Sequence, residues 1–224
     1  MAYKKKKRPA KKTVPYDEKI KNAKKQFLID RSEISDGDYI IGLDPPTTTN
    51  LGWCIFQYKD KKAFYIESLT EKLKSGSNEK ERLKELEKFL KDLCEKYSPL
   101  KIFSFERALG RGNIFVRETL GENQCVIKQV AFNNNAIAKP VMTTSMSLLF
   151  SDSGSKRRSV KKTETCEMAK YLFGKKLEDR RVSKTGKFTH EADAIGFCVA
   201  FCYANDIEIE FEILEIEEKK IQDE

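Results

Sequence analysis

The sequence predicts an α/β domain, a five-stranded mixed sheet flanked by helices. Three observations predict it. Three short β-like runs, at 39–44, 51–57 and 63–68, are separated by gaps of turn length, which suits two antiparallel hairpins. Two further apolar runs, at 100–105 and 136–143, each follow a segment of helical period, as strands joined by crossover helices do. The helical segments carry apolar residues on one side and lysines and glutamates on the other.

Taken in order, residues 1–36 read as a flexible basic arm, because Lys-rich, Pro-punctuated sequence buries too little apolar surface to order itself. Within it, Phe27, Leu28 and Ile29 form a weak apolar cluster suited to docking on the domain. The first strand, Tyr39–Asp44, is Tyr-Ile-Ile-Gly-Leu-Asp and is stopped by Pro45-Pro46 and a threonine run. Asn78 is placed to start a helix, with Glu81 three residues on completing a capping box. Leu83, Leu86, Phe89, Leu90 and Leu93 form its inner face. Pro99 precedes the fourth strand, Leu100–Phe105, which closes on Glu106.

A loop at 107–113 leads into a helix over 114–132, with Val116, Leu120, Ile127 and Val130 on one side. Gly121 weakens that helix by about 1 kcal/mol relative to Ala, so it either serves close packing, across a dimer for instance, or is simply tolerated. After the fifth strand come a short helical turn at 145–150 and a polar basic loop at 151–162. A helix then runs to about Phe173, stopped by Gly174, and a second basic loop covers 175–188. Thr189 caps a last helix, His190–Ala204, with Ala192, Ile195, Val199 and Cys202 facing inward. The Glu-Ile alternation from Glu208 to Ile213 suits an edge strand or an acidic extension equally well. The chain thus divides into a basic arm (1–36), one domain (37–205) and an acidic C-terminal extension (206–224).

Charge is unevenly placed along the 224 residues. Residues 1–12 hold seven cationic side chains and no acid, whereas 206–224 hold nine acids and two lysines. The two ends cancel, so the folded middle keeps the full formal charge of +8, which favours a polyanionic partner. Six cysteines without a Cys-x-x-Cys pair, and a single histidine, argue against a structural zinc site. No apolar segment stands behind the N-terminal lysines and none is long enough to span a membrane. Reduced cysteines in a cytoplasmic compartment are expected, with the basic arm open to reading as a nuclear-import signal, a DNA-binding tail or a solubilising tail.

The candidate chemistry lies in carboxylates at strand mouths. An ionised carboxylate beside a sheet is costly unless it is paired or holds a metal. Asp44 ends the first strand and Glu106 ends the fourth. Asp44 as a turn residue capping its own loop is the plain alternative. His190 and Asp193, three apart, share a face in the first turn of the last helix. Helix capping by acids accounts equally for that pair. If strands one and four are adjacent and parallel, their C-terminal ends bring Asp44 and Glu106 together, where open α/β sheets place ligand sites. Clustered acids repel and raise one another's pKa. Divalent cations remove that conflict, and hard oxygens with one imidazole suit Mg²⁺ or Mn²⁺.

These residues resemble the RuvC-like Holliday junction resolvases of the RNase H-like superfamily. The matching pieces are Ile-Gly-Leu-Asp44-Pro with Leu-Gly52-Trp53, Phe-Ser-Phe-Glu106, Lys162 with Met168 six residues on, and His190-Glu-Ala-Asp193-Ala-Ile. They occur in family order over about residues 38–204. The resemblance implies an RNase H-like fold, and a crossover junction endonuclease in which Asp44, Glu106, His190 and Asp193 hold two Mg²⁺ ions, with Mn²⁺ able to substitute. It also implies a four-way junction or other branched DNA as partner, 5′-phosphate and 3′-hydroxyl products, and a homodimer built on the 114–132 helix that nicks two strands symmetrically. Divergent relatives occur in phages and large DNA viruses, whose Lys-rich composition this chain shares.

In the mechanism so implied, Asp44 bridges two ions about 4 Å apart. Glu106 helps hold the water-activating ion. Asp193 and His190 complete the second site, and His190 is also able to protonate the leaving oxygen. Lys156, Arg157, Arg158, Lys161 and Lys162 are candidate phosphate clamps, with Arg111 on the loop after Glu106. The sequence departs from the family at Pro46, where Gly is usual, and at Leu109, where some members carry an aromatic that stacks on DNA. Phe115 is the candidate substitute. Ser145, Met146 and Ser147 offer no counterpart to the lysine usual after the fifth strand.

Two other classes of function compete. Gly-Leu-Asp-x-x-Thr-Thr echoes the phosphate hairpin of actin-like and sugar-kinase ATPases, but those need a second Gly-rich loop and a second similar domain, and the sequence has neither. A non-catalytic branched-DNA-binding protein would use the same basic segments and leave the acids structural.

Overall fold

The computed structural model describes residues 15–47, 49–73, 78–108, 114–150, 165–169, 171–172 and 187–210, less the side chains of 150 and 187–189. Six strands form one sheet: β1 (Tyr39–Asp44), β2 (Asn50–Lys59), β3 (Lys62–Lys72), β4 (Leu100–Glu106), β5 (Ile137–Val141) and β6 (Glu208–Glu210). Their order is β5-β4-β1-β2-β3-β6. The first three run antiparallel, as the turn-length gaps predict. Asp60 (φ 53°) and Lys61 (φ 64°) make the β2–β3 turn in the left-handed region that two-residue hairpins favour. β4 lies parallel beside β1, and β5 parallel beside β4.

The helices among the described residues include α1 (Tyr16–Lys25), α2 (Glu79–Lys96), α3 (Ile114–Asn133), α4 (Thr143–Phe150) and α5 (Lys187–Ala204). They divide the apolar side chains into two layers. Ile40, Ile102, Cys54 and Phe56 pack with α5, Met146 of α4 and Phe27 on one face. Ile41, Leu43, Phe103 and Phe105 pack with Leu86 and Leu90 of α2 and with Ile127 and Val130 of α3 on the other. The period-two alternation of a strand explains the division. It also explains why β1 and β4, covered on both faces, carry apolar residues at successive positions such as Ile40-Ile41 and Ile102-Phe103. Residues 165–169 are helical, and Cys166 and Ala169 join the α5 layer.

Three boundaries differ from the sequence reading. Residues 16–36 are not a flexible arm. Tyr16–Lys25 is helical, with acids in its first turn and lysines in its last, matching the helix dipole. Phe27 and Ile34 are buried in the α5 layer and Ala23 is buried on α1, while Leu28 stays exposed. High lysine content concealed this face, because the apolar residues are few. Asn205 fastens the segment: its Nδ2 donates to Phe27 O at 3.1 Å, and its Oδ1 accepts from Ile29 N at 3.1 Å.

The sheet has six strands rather than five. Glu208–Glu210 pairs with Lys62–Phe64, and Lys62 Nζ reaches Glu210 Oε2 at 2.7 Å, offsetting the acid that made the segment ambiguous. Residues 211–224 lie outside the described set. The last helix starts at Lys187, so Thr189 lies inside it rather than capping it. Asn78 does cap α2, its Oδ1 accepting from Lys80 N at 3.2 Å.

Candidate active site

The site begins with two glycines. A Cβ on Gly42 would lie 2.1 Å from Ala194 O, and one on Gly52 would lie 2.0 Å from His190 O. Both approaches are to main-chain atoms, so the bare strands let α5 lie directly on β1 and β2. Gly52 is the register partner of Asp44. The glycine that seats the His190 backbone therefore stands opposite the acid that His190 meets. His190 Nδ1 lies 2.5 Å from Asp44 Oδ2, across 146 residues of sequence. The Asp44 side chain is 9% exposed and that of His190 24%.

Glu106 comes to the same mouth by register. Leu43 pairs with Phe105 in the parallel β1–β4 ladder, so Asp44 and Glu106 are the next residues on neighbouring strands. Alternation then sends both carboxylates toward α5: Ile40 and Ile102 pack in the α5 layer, and Ser104 Oγ donates to Phe197 O at 3.4 Å. Thr143, which opens α4, donates its hydroxyl to Glu106 Oε1 at 3.5 Å. Asp193 is half-buried one turn after His190 on α5. The adjacency that the sequence reading required of strands one and four is present.

Other residues support this mouth and were missed in the sequence. Glu191 is 2% exposed and accepts from Ser68 Oγ at 2.6 Å; Ser68 in turn meets Tyr65 Oη at 2.8 Å. This chain ties the first turn of α5 to β3. From the opposite layer, Asn123 Nδ2 donates to Pro46 O at 2.6 Å, and Gln124 Nε2 donates to Glu106 O at 3.1 Å. Glycines inside two apolar strands were the available signal for α5's approach. The polar contacts gave none, because they join residues distant in sequence.

Asp44, Glu106 and Asp193 offer carboxylate oxygens and His190 one imidazole, a donor chemistry that fits Mg²⁺ or Mn²⁺. Two of those donors already touch, although among the described residues no three of His, Cys, Asp or Glu gather closely enough to form a metal-holding group. Phe115 stands in the first turn of α3 and is 73% exposed. Arg111, Lys156, Arg157, Arg158, Lys161 and Lys162 lie outside the described residues. Ser145, at the position without its lysine, is buried and accepts from Gln26 Nε2 at 2.8 Å, which anchors the N-terminal segment instead. No helix among the described residues is long and apolar enough to cross a membrane.

A mixed sheet whose first strand pairs antiparallel with the second and parallel with the fourth, with a last helix laid over it, defines an RNase H-like α/β protein. Within that class the fold is RuvC-like. Thermus thermophilus RuvC superposes with a TM-score of 0.55 at 16% identity, covering 74% of this chain and 95% of that one. The T. thermophilus RuvC structure in complex with a Holliday junction substrate gives a TM-score of 0.56 at 16% identity, covering 72% and 90%. No family model matches the sequence, and no curated protein does.

Proposed function

We propose that this protein is a metal-dependent, structure-selective DNA endonuclease that resolves four-way junctions, and related branched DNA, by paired symmetric nicks. The observation that carries the reading is the Asp44–His190 contact at the mouth of β1, beside the Glu106 position on the adjacent parallel strand. The likeness to RuvC supports it at the level of fold.

Asp44, Glu106, His190 and Asp193 would hold two Mg²⁺ ions, or Mn²⁺ in their place. Such ions supply Lewis acidity, a water of lowered pKa and neutralisation of developing charge. The chain's own residues supply orientation and proton handling. The contact through Nδ1 fixes the imidazole against Asp44, and a ring whose unperturbed pKa is about 6.5 can pass a proton to a leaving 3′ oxygen near neutrality. The Asp44 carboxylate stands at the mouth of the sheet but little exposed, where a dry surround strengthens its interaction with a cation. Phe115, Arg111 and the cations at 156–158 and 161–162 are assigned to DNA. The exposed start of α3, with Ile114, Phe115 and Val116, is assigned to the homodimer contact or to DNA stacking.

The test is to incubate the purified protein with labelled four-way junction, fork and duplex, in Mg²⁺ and in EDTA, and to map the nicks. Symmetric Mg²⁺-dependent nicks in the junction are expected. Cutting of all branches alike would widen the substrate. Tight binding without nicking would replace the nuclease with a branched-DNA-binding protein.

A further inference from the structure

Asn123 and Gln124 are consecutive residues in the middle of α3, and both are buried, at 0% and 9% exposure. Helix interiors seldom spend two adjacent inward positions on amides when apolar residues would fill them. Each amide donates to a main-chain carbonyl at the sheet's mouth. Asn123 takes Pro46 O, two residues beyond Asp44, and Gln124 takes the carbonyl of Glu106 itself. Both contacts come from the α2–α3 layer, opposite the face toward which Asp44 and Glu106 turn. The backbones that carry the two acids are thus gripped from behind by one helix turn.

The Asn123 contact is poor value for stability alone. Among the described residues its Oδ1 is buried with no hydrogen-bond partner. An unsatisfied buried acceptor carries a desolvation penalty comparable with what a good hydrogen bond contributes. A leucine there would fill similar space and remove that acceptor, while leaving Pro46 O without its amide donor.

We propose that Asn123 and Gln124 are positioning residues that set the separation of Asp44 and Glu106, and through it the affinity of the site for divalent cation. This rests on the reading of those acids as metal ligands. The pair touches neither substrate nor ion: it acts through two carbonyls, as residues behind a metal's ligands commonly do.

The test uses the full chain without DNA. Binding of Mn²⁺ is followed by the loss of the free-ion electron paramagnetic resonance signal, for the parent protein, Asn123→Leu and Gln124→Met, with thermal melts alongside. The expected result is a dissociation constant weakened by about tenfold or more in each variant, while both variants still melt as folded proteins. Parent-like Mn²⁺ affinity in folded variants would overturn the positioning role and leave the metal reading standing. A parent chain that binds no Mn²⁺ would overturn the metal reading and this proposal with it. If Asn123→Leu fails to fold, Gln124→Met carries the measurement. If both are unfolded, the pair is structural and the proposal falls.

Discussion

His190 Nδ1 and Asp44 Oδ2 meet at 2.5 Å because Gly52, the register partner of Asp44, has no side chain to hold the His190 backbone away. Helix, strand and side-chain contact are therefore one arrangement. A change at any of the three positions should be felt at the other two, but in separable ways, since the proposed function gives Asp44 and His190 chemistry and Gly52 only space.

Asp44→Asn keeps the shape and a hydrogen-bonding group at the strand mouth, so the fold should survive. What it removes is the charge that a divalent ion requires. Asp193→Asn does the same on α5. Both variants should bind four-way junctions like the parent and lose Mg²⁺-dependent cutting, measured by gel shift in EDTA and by nicking in Mg²⁺. Full cleavage by either purified variant would exclude its assignment. His190→Ala should slow cutting by about 10²–10⁴-fold if the imidazole moves a proton. That loss should be smaller with a substrate whose leaving group needs no protonation.

Gly52→Ala and Gly42→Ala test the seat of α5. The added methyl would lie 2.0 Å from His190 O in the first and 2.1 Å from Ala194 O in the second. Neither backbone oxygen can swing away, so each variant should lose at least about 1–3 kcal/mol of stability, measured by urea unfolding. Gly121 is the internal comparison. Nothing lies within 4 Å of a Cβ built there, so Gly121→Ala should gain up to about 1 kcal/mol from helix propensity. A destabilised Gly121→Ala would show instead that a second copy covers that face.

Much of this arrangement was legible in the sequence because it is written in local patterns. The turn-length gaps gave the β1–β2–β3 meander, and the 3.6-residue period gave α2 and α3. Apolar strands ending on Asp44 and Glu106 gave the mouth of the sheet. The rest is written in pairs of residues far apart in the chain. Phe27 and Ile29 pack into α5's layer, as their apolar cluster suggested, but nothing in residues 16–36 announces the helix that precedes them. Ser68 and Glu191 look like an ordinary strand serine and a capping acid until β3 and α5 are brought together. Asn123 and Gln124 looked like polar positions on a mixed helix for the same reason. Glu208–Glu210 became a strand because Lys62 stands opposite its acids.

Thiol chemistry gives a check of the packing that is independent of any enzyme assay. None of the six cysteines is in a disulfide, and Cys125 on α3 alone is exposed. Burial pushes the thiols of Cys54 and Cys202 well above their usual range, and pushes Cys94 up to about 11. Since the thiolate is the nucleophile, the native protein at neutral pH should titrate one fast thiol with a disulfide reagent, and six after denaturation. Cys125→Ser should abolish the fast phase. A fast thiol remaining in that variant would mean that one of the two buried layers opens under native conditions.

A last expectation concerns pH and joins α2 to α3. Glu122 lies within 3.6 Å of Arg82 Nη2, yet its carboxyl is held above the usual range. The largest cause is a hydrogen bond shared with the Glu79 carboxyl, with burial and the Glu79 charge adding to it; Arg82 pulls the other way. A carboxyl whose pKa is higher in the folded state than in the unfolded one binds its proton more tightly when folded. Its stabilising contribution is therefore complete below the unfolded value, about 4.3, and is lost as pH rises through the folded value. Glu122→Gln is a permanent stand-in for the protonated form and has no such loss. The melting temperature of the parent should accordingly fall relative to that of Glu122→Gln as pH is raised from about 4 to neutrality. The effect should be small, because the group is largely solvated and salt screens it. Parallel melting curves for the two proteins across that range would show that Glu79 and Glu122 do not share a proton.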